Sequence, residues 1–187
     1  MNIRIGVIAE DDGDVGVLAV MFTKISPSKK FAVKKFVGHG CGRIASKCHN
    51  WARNLKIQGC HALVVMHDLD NRNIQTLHEQ LISALQPSPI PRHIVIIPIR
   101  ELEAWLLSDA AAIQNALNLK NRPARVANPE AIMDAKRHLK EIVFLKSEKT
   151  KRFISTVHNV LIARKLNLKE VRRCSSFQPL EDFIRSL

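Results

Sequence analysis

The stretch Ala62-Leu63-Val64-Val65-Met66-His67-Asp68-Leu69-Asp70 constrains the fold of this chain more than any other. It begins as a continuous apolar run, which is typical of a strand buried on both faces of a parallel sheet. Two aspartates, Asp68 and Asp70, end it, at the side of an open α/β sheet where ligands bind. Residues two apart on an extended chain point the same way, so we interpret both carboxylates as candidate ligands for a hard cation such as Mg²⁺. Helix capping and turn formation are the alternative.

Strand and helix patterns alternate through the first 119 residues, which predicts an α/β fold with a largely parallel sheet flanked by helices. Besides the run above, strand patterns occupy residues 3–9, 30–37 (an edge strand) and 93–99, and helix patterns occupy residues 15–24, 44–56, 74–85 and 110–117. Beyond residue 119 the patterns are helical, at 129–145, 149–165 and 179–187. We therefore predict an α/β core at residues 1–119 and a basic helical extension at 120–187. The extension either wraps on the sheet or forms a small subdomain.

The charge of the chain is strongly positive. It carries 29 Lys and Arg against 17 Asp and Glu, a net charge of +12. Residues 1–119 hold 13 basic and 10 acidic residues, whereas residues 120–187 hold 16 and 7. This excess predicts a polyanionic partner, nucleic acid first, with a solvated basic surface as the alternative.

The hydrophobic content of 46% is sufficient for a packed core. Apolar runs are too short to cross a bilayer, and the N-terminus reads as a strand rather than as a signal peptide. We expect a soluble, cytoplasmic protein with no membrane association. Homo-oligomerisation is left open.

Cysteine and histidine residues occur in one region but without the spacing of a zinc motif. The four cysteines lack a CxxC pair, so we expect reduced thiols. The candidates for a zinc site match no compact finger, knuckle or ribbon, and zinc is disfavoured; they are His39, Cys41, Cys48, His49, Cys60 and His61.

Carboxylates gather at three predicted strand ends. The groups are Glu10 with Asp11, Asp12 and Asp14; Asp68 with Asp70; and Glu101 with Glu103 and Asp109. Such a cluster is what two-metal phosphoryl transfer needs, because carboxylates hold the ions that stabilise the attacking and leaving oxygens. Asp11, Asp12 and Asp14 are equally suited to cap the helix that follows them.

Basic residues near these strand ends are candidates for contacts with phosphate. Arg72 and Arg100 are placed to neutralise charge on a reacting phosphate. The predicted contacts with a nucleic-acid backbone are Lys34, Lys35, Arg43, Lys47, Arg72 and Arg100.

Three features of the sequence resemble known proteins. A first strand that ends in Glu10, followed by a strand that ends in Asp68-x-Asp70, is similar to the TOPRIM domain of topoisomerases, primases and OLD-type nucleases. The run from Ile97 to Asp109, with Glu-Leu-Glu-Ala-Trp at its centre, resembles an uncharacterised TOPRIM-like family whose members accompany ATPases in bacterial phage-defence operons. The run Arg173-Cys174-Ser175-Ser176-Phe177 resembles the C-terminal motif of that family.

The resemblance implies a set of site residues and a partner. Glu10, Asp68 and Asp70 would hold Mg²⁺ or Mn²⁺, and Asp14 matches an acid of the first motif. Glu101 and Glu103 would be further ligands or a general base. His67 is expected to pack or to support the ligands, and Trp105 to lie in the core. The resemblance also implies a partner ATPase.

Three functions compete at this point. The first is a Mg²⁺-dependent nuclease of DNA or RNA, acting in phage defence. The second is a catalytically silent TOPRIM-like module that binds nucleic acid or a protein partner. The third is phosphate release or nucleotidyl transfer on small nucleotides.

Overall fold

A parallel sheet of four strands forms the centre of the protein. The structure is a computed structural model that describes residues 2–38 and 41–187, apart from the side chain of Cys41. The strands are β1 (Asn2–Ala9), β2 (Lys30–Val37), β3 (Ala62–Met66) and β4 (His93–Ile96), in the order β2-β1-β3-β4. Every pairing is parallel. The predicted α/β class, the parallel sheet and the position of β2 at its edge are confirmed.

Helices flank both faces of this sheet and form most of the C-terminal region. They are α1 (Asp12–Ile25), α2 (Cys41–Ile57), α3 (Ile74–Leu85), α4 (Glu103–Leu107), α5 (Ala110–Leu117), α6 (Ala135–Lys146), α7 (Ser155–Lys165), α8 (Leu168–Val171) and α9 (Gln178–Ser186). Two short 3₁₀ turns lie at Pro129–Ala131 and Ser175–Phe177. Within the described ranges, no helix is both long and apolar enough to cross a membrane.

The register of the strands brings their carboxyl ends to one edge. Ile8 of β1 lies opposite Val65 of β3, and Met66 lies opposite Ile96 of β4. Backbone hydrogen bonds continue this pairing beyond the strands, with His67 N–H donating to Ile96 and Asp70 N–H donating to Arg100, at 3.1 and 2.9 Å. The segments that follow β1, β3 and β4 therefore meet.

Each face of the sheet has its own hydrophobic layer, because successive residues of a strand point to opposite faces. Ile8, Leu63 and Val65 pack with α2 and α3. A Cβ atom at Gly6 would lie 2.9 Å from Leu55 Cδ1, so α2 rests directly on β1 there. The opposite face packs against α1 and the helices from α4 onward.

The C-terminal region extends the second of these layers. Leu139 of α6, Ile162 of α7 and Leu180 of α9 are fully buried in the same cluster as Leu18 of α1. Of the two arrangements that the sequence left open, the structure shows the extension wrapped on the α1 side of the sheet.

Trp105 joins the two parts of this layer. It is 1% exposed, its ring meets that of Phe177 edge-on at 5.3 Å, and its Nε1–H donates to Ser176 Oγ at 2.8 Å. The expectation that Trp105 is a core residue is confirmed. The Glu-Leu-Glu-Ala-Trp run and the Arg173–Phe177 run, two of the features that carried the family resemblance, thus pack against each other.

Three element boundaries differ from the predictions. The helix expected from residue 129 to 145 is a 3₁₀ turn followed by α6, which starts late because the Asp134 side chain caps it by accepting from Arg137 N–H at 2.7 Å. The helix expected from residue 149 begins at Ser155. β4 ends at Ile96 rather than residue 99, shortly before Pro98, which lacks an N–H for the ladder.

Phe177→Ala tests whether the two regions fold as one unit. It removes a fully buried ring from the shared layer, so we expect the free energy of unfolding to fall by about 3–5 kcal/mol. Urea unfolding followed by circular dichroism should keep a single transition. Phe144→Ala, at a side chain 41% exposed, is the matched control and should change stability by less than about 0.5 kcal/mol. Two separate transitions, only one of them shifted by Phe177→Ala, would contradict a shared core.

Candidate functional site

Glu10 begins the site at the end of β1. Its Oε1 atom accepts a hydrogen bond from Asp68 N–H at 3.1 Å and lies 2.9 Å from Nδ1 of the buried His67. Nε2 of His67 lies 3.4 Å from Arg72 Nη1. Because a guanidinium only donates, we assign Nε2 as the acceptor and place the ring proton on Nδ1, which faces both Glu10 Oε1 and the backbone oxygen of Asp68, the latter at 2.7 Å. Burial acts to raise the pKa of Glu10, but these donors and the charge of Arg72 outweigh it and lower the pKa. Glu10 is therefore held as a carboxylate.

Asp68 connects β3 to the start of α4. Its Oδ1 atom accepts from Leu102 N–H at 2.9 Å, which orients the side chain toward the residues after β4. Burial, together with the charges of Asp14, Glu103 and Glu10, raises the pKa of Asp68 well above its ordinary value of 3.8. These four side chains are close enough to affect one another, and we call Glu10, Asp14, Asp68 and Glu103 the carboxylate cluster.

Asp14 both caps α1 and belongs to the carboxylate cluster. Its N–H donates to Asp11 Oδ1 at 3.0 Å, and its Oδ2 accepts from Asp11 N–H at 3.1 Å, which is a reciprocal capping box. The side chain is only 7% exposed. Burial, reinforced by the charges of Asp11, Glu103 and Glu10, raises the pKa of Asp14 to about 8. The capping role and the cluster role, which the sequence presented as alternatives, coexist.

Glu103 links the carboxylate cluster to the C-terminal region. It is the first residue of α4 and is 3% exposed. Its Oε1 atom accepts from Asn159 Nδ2 of α7 at 3.0 Å and lies 3.9 Å from Lys136 Nζ of α6. Although burial acts to lower the pKa of Lys136, the charges of Glu103 and its acidic neighbours raise it. Lys136 is thus an ammonium ion beside the cluster.

Sequence reasoning missed Lys136 and Asn159, because both belong to a region whose most visible property is net positive charge. Asn159 did carry one signal. It directly precedes the apolar run Val160-Leu161-Ile162 inside a helix, where a polar side chain that becomes buried needs a hydrogen-bonding partner.

Asp70 does not share the orientation of Asp68, although the sequence predicted that the two carboxylates point the same way. β3 ends at Met66, so the two aspartates do not lie on one extended strand, and that argument was wrong. Asp70 has a φ of 51° and is exposed. The backbone oxygen of Arg100, a residue with a φ of 66°, accepts a hydrogen bond from Asp70 N–H. In return, Arg100 Nη1 donates to the backbone oxygen of Asp70 at 3.2 Å. Two left-handed non-glycine residues therefore shape the rim of the site.

Glu101 is half-buried and has a structural task. Its Oε2 atom accepts from Lys136 N–H at 2.8 Å, in the first turn of α6. Burial and the charges of Glu103 and Asp134 raise its pKa, although the N–H of Lys136 opposes this. Of the two acids in the Glu-Leu-Glu motif, Glu103 therefore belongs to the carboxylate cluster, whereas Glu101 accepts a hydrogen bond from the first turn of α6.

The candidate phosphate contacts are divided between the faces of the sheet. Lys34 and Lys35 are exposed neighbours on β2 and point to opposite faces. Lys35 forms an ion pair with Asp12 of α1. Arg43 and Lys47 are exposed on α2. Lys34 and Lys35 therefore lie on opposite faces of the sheet, so the predicted phosphate contacts are not all on one face.

The donor chemistry of the carboxylate cluster fits a hard divalent cation, since it consists of oxygen ligands and burial, reinforced by their mutual repulsion, raises two of their pKa values. The ligand set is nevertheless incomplete. Across residues 2–38 and 42–187, no three His, Cys, Asp or Glu side chains are grouped so as to hold a metal ion by themselves. Cys48, Cys60 and Cys174 are free, buried thiols. His39, Gly40 and the Cys41 side chain lie outside the described residues.

Comparison with known proteins yields a family and no closer relative. A family model described as "Domain of unknown function (DUF4276)" matches residues 16–185. No curated protein matches the chain. No solved structure matches it either.

The raised pKa of Asp14 predicts how stability depends on pH. Folded Asp14 keeps its proton up to about pH 8, whereas the unfolded chain loses it near the ordinary value of 3.8. The unfolded state therefore binds fewer protons between these values, so the free energy of unfolding falls as pH rises from about 4 to about 8. Asp14→Asn keeps an acceptor for Asp11 N–H but cannot ionise, and should flatten this decline in urea titrations.

Asp182→Asn, at an exposed residue of α9, is the control and should leave the pH dependence as it is in the wild type. An Asp14→Asn profile parallel to that of the wild type would contradict the assignment.

Proposed function

The chain belongs to the DUF4276 family, and we propose that it is a Mg²⁺-dependent nuclease that hydrolyses phosphodiester bonds of DNA or RNA. One observation carries the proposal. Glu10 and Asp14 after β1, Asp68 after β3 and Glu103 after β4 converge at the carboxyl ends of the strands of a parallel sheet, in a protein of net charge +12. Ligands of α/β sheets bind at that edge. Repulsion among the four carboxylates is what a divalent cation would relieve.

Each member of the carboxylate cluster would contribute in its own way. Glu10 is kept ionised by His67 and Arg72, so it is ready to bind a cation. Asp68 is oriented by Leu102 N–H, and Asp14 by the capping box. Bound Mg²⁺ or Mn²⁺ supplies a Lewis acid for the phosphate oxygens. Lys136 is the cationic side chain nearest to Glu103 and is suited to contact a phosphate group.

The substrate would be held largely by charge. Exposed basic side chains on β2 and α2, such as Lys34, Arg43 and Lys47, lie where a nucleic-acid backbone can reach them. Binding that neutralises phosphates weakens steeply with salt. The partner ATPase and the role in phage defence stay part of this proposal and rest on the family resemblance.

A catalytically silent binding module is the second candidate. One observation in its support is that Glu10 Oε1 and Asp68 Oδ1 already accept hydrogen bonds from protein donors. The pKa of Asp14, about 8, also leaves that group protonated at neutral pH. Such a module would bind nucleic acid in the same way with Mg²⁺ and with EDTA.

Asp68→Asn tests the nuclease proposal with single-stranded DNA, double-stranded DNA and RNA as substrates. The wild type should cleave at least one of them with Mg²⁺ or Mn²⁺, and EDTA should stop cleavage. Asp68→Asn keeps an oxygen for Leu102 N–H but loses the charge, so we expect cleavage to fall about 100-fold or more. Asp182→Asn is the matched control and should retain full activity. Salt-sensitive, EDTA-insensitive binding without cleavage would favour the silent module.

A further inference from the structure

Asn159 has a buried atom whose hydrogen-bonding capacity is unused. The residue lies within α7 and is 2% exposed. Its Nδ2 donates to Glu103 Oε1 at 3.0 Å. Its Oδ1 atom is fully buried and is without a hydrogen-bond partner in the part of the chain that the structure describes. An unsatisfied buried acceptor costs free energy, so it calls for an explanation.

The orientation of this amide follows from its partner. A carboxylate accepts hydrogen bonds, so the nitrogen of Asn159 faces Glu103, and a flipped amide would place two acceptors together. The unpaired atom is therefore the oxygen. Because the oxygen and the nitrogen share one carbon, the oxygen also lies near Glu103, a member of the carboxylate cluster.

Backbone packing places Asn159 there. A Cβ atom at Gly16 of α1 would lie 2.5 Å from Val160 Cγ2, and one at Gly13 would lie 3.4 Å from Thr156 Cα. The two glycines thus let α7 approach the first turns of α1, where Asp14 is located. Asn159 lies between Thr156 and Val160 on the helix, so its position is set by this close approach.

We propose that Asn159 Oδ1 is a ligand for a divalent cation, which it binds together with Glu103 and Asp14. This inference rests on the proposed function and adds a ligand from the C-terminal region to it. A site built from Glu103, Asp14 and the amide oxygen needs only two acidic ligands, so it does not require the group of three Asp, Glu, His or Cys side chains that the described residues lack. A neutral amide oxygen suits Mg²⁺ or Ca²⁺ and adds a ligand without adding to the repulsion among the carboxylates.

Two substitutions distinguish whether Asn159 acts as a cation ligand or only as a hydrogen-bond donor to Glu103. Asn159→Leu removes the oxygen and the nitrogen together, whereas Asn159→Asp keeps an oxygen but loses the N–H that reaches Glu103. Mn²⁺ binding to the full chain is measured by electron paramagnetic resonance of the free ion, at pH 8. We expect at least tenfold weaker binding for Asn159→Leu, and binding equal to or tighter than the wild type for Asn159→Asp. Asn115→Leu, at an exposed position of α5, is the control and should bind as the wild type does.

The alternatives give different results. Equal weakening in both Asn159 variants would overturn the proposal, because it would show that only the donor to Glu103 matters. Unchanged binding in both would also overturn it and would point to a buried water on the oxygen. If Asn159→Asp unfolds without cation, refolding on addition of Mn²⁺ supports the proposal, and failure to refold with Mn²⁺ counts against it.

Asp68→Asn distinguishes failure of this inference from failure of the proposed function. Suppose that the wild type binds Mn²⁺, that Asp68→Asn does not bind it and that Asn159→Leu still does. That result would overturn only the role of Asn159. A wild type that binds no Mn²⁺ overturns both.

Discussion

Repulsion among four buried or partly buried carboxylates is the constraint on which the rest of this structure depends. Burial, reinforced by the charges of neighbouring carboxylates, raises the pKa values of Asp14 and Asp68, and both Glu10 and Glu103 contribute to each shift. The fold tolerates these carboxylates by fixing their positions with donors from the backbone and from neighbouring side chains. His67 holds Glu10, the capping box holds Asp14, and Leu102 N–H holds Asp68. The proposed divalent cation would relieve the repulsion among these carboxylates.

The C-terminal region supplies much of what keeps this arrangement in place. Lys136 and Asn159 both reach Glu103, and Glu101 fastens the start of α6 beside them. A second anchor lies at Glu130, whose carboxylate accepts from the N–H and hydroxyl groups of both Ser175 and Ser176, at 2.6–3.0 Å. Because Ser176 also accepts from Trp105, this anchor ties α9 to α4. The basic extension is therefore part of the core and of the candidate site.

Local patterns in the sequence predicted the elements well and the site in part. Apolar runs locate β1, β3 and β4, and acids that follow β1 and β3 place Glu10 and Asp68 at one sheet edge. Asp70 was misplaced, since a left-handed residue after a short strand leaves no trace in a hydrophobicity pattern. Lys136 and Asn159 were missed because the contacts that bring them to Glu103 join residues 33 and 56 positions apart. Such contacts follow from packing of the whole chain.

Calorimetric titration of Mg²⁺ into the wild-type protein at pH 7, in two buffers of different ionisation enthalpy, tests the central claim most directly. If a cation relieves repulsion in the carboxylate cluster, binding at pH 7 must expel the proton that Asp14, with a pKa of about 8, retains. The account predicts saturable binding accompanied by release of about one proton or more. Absence of binding, or binding with the same apparent enthalpy in both buffers, would contradict it.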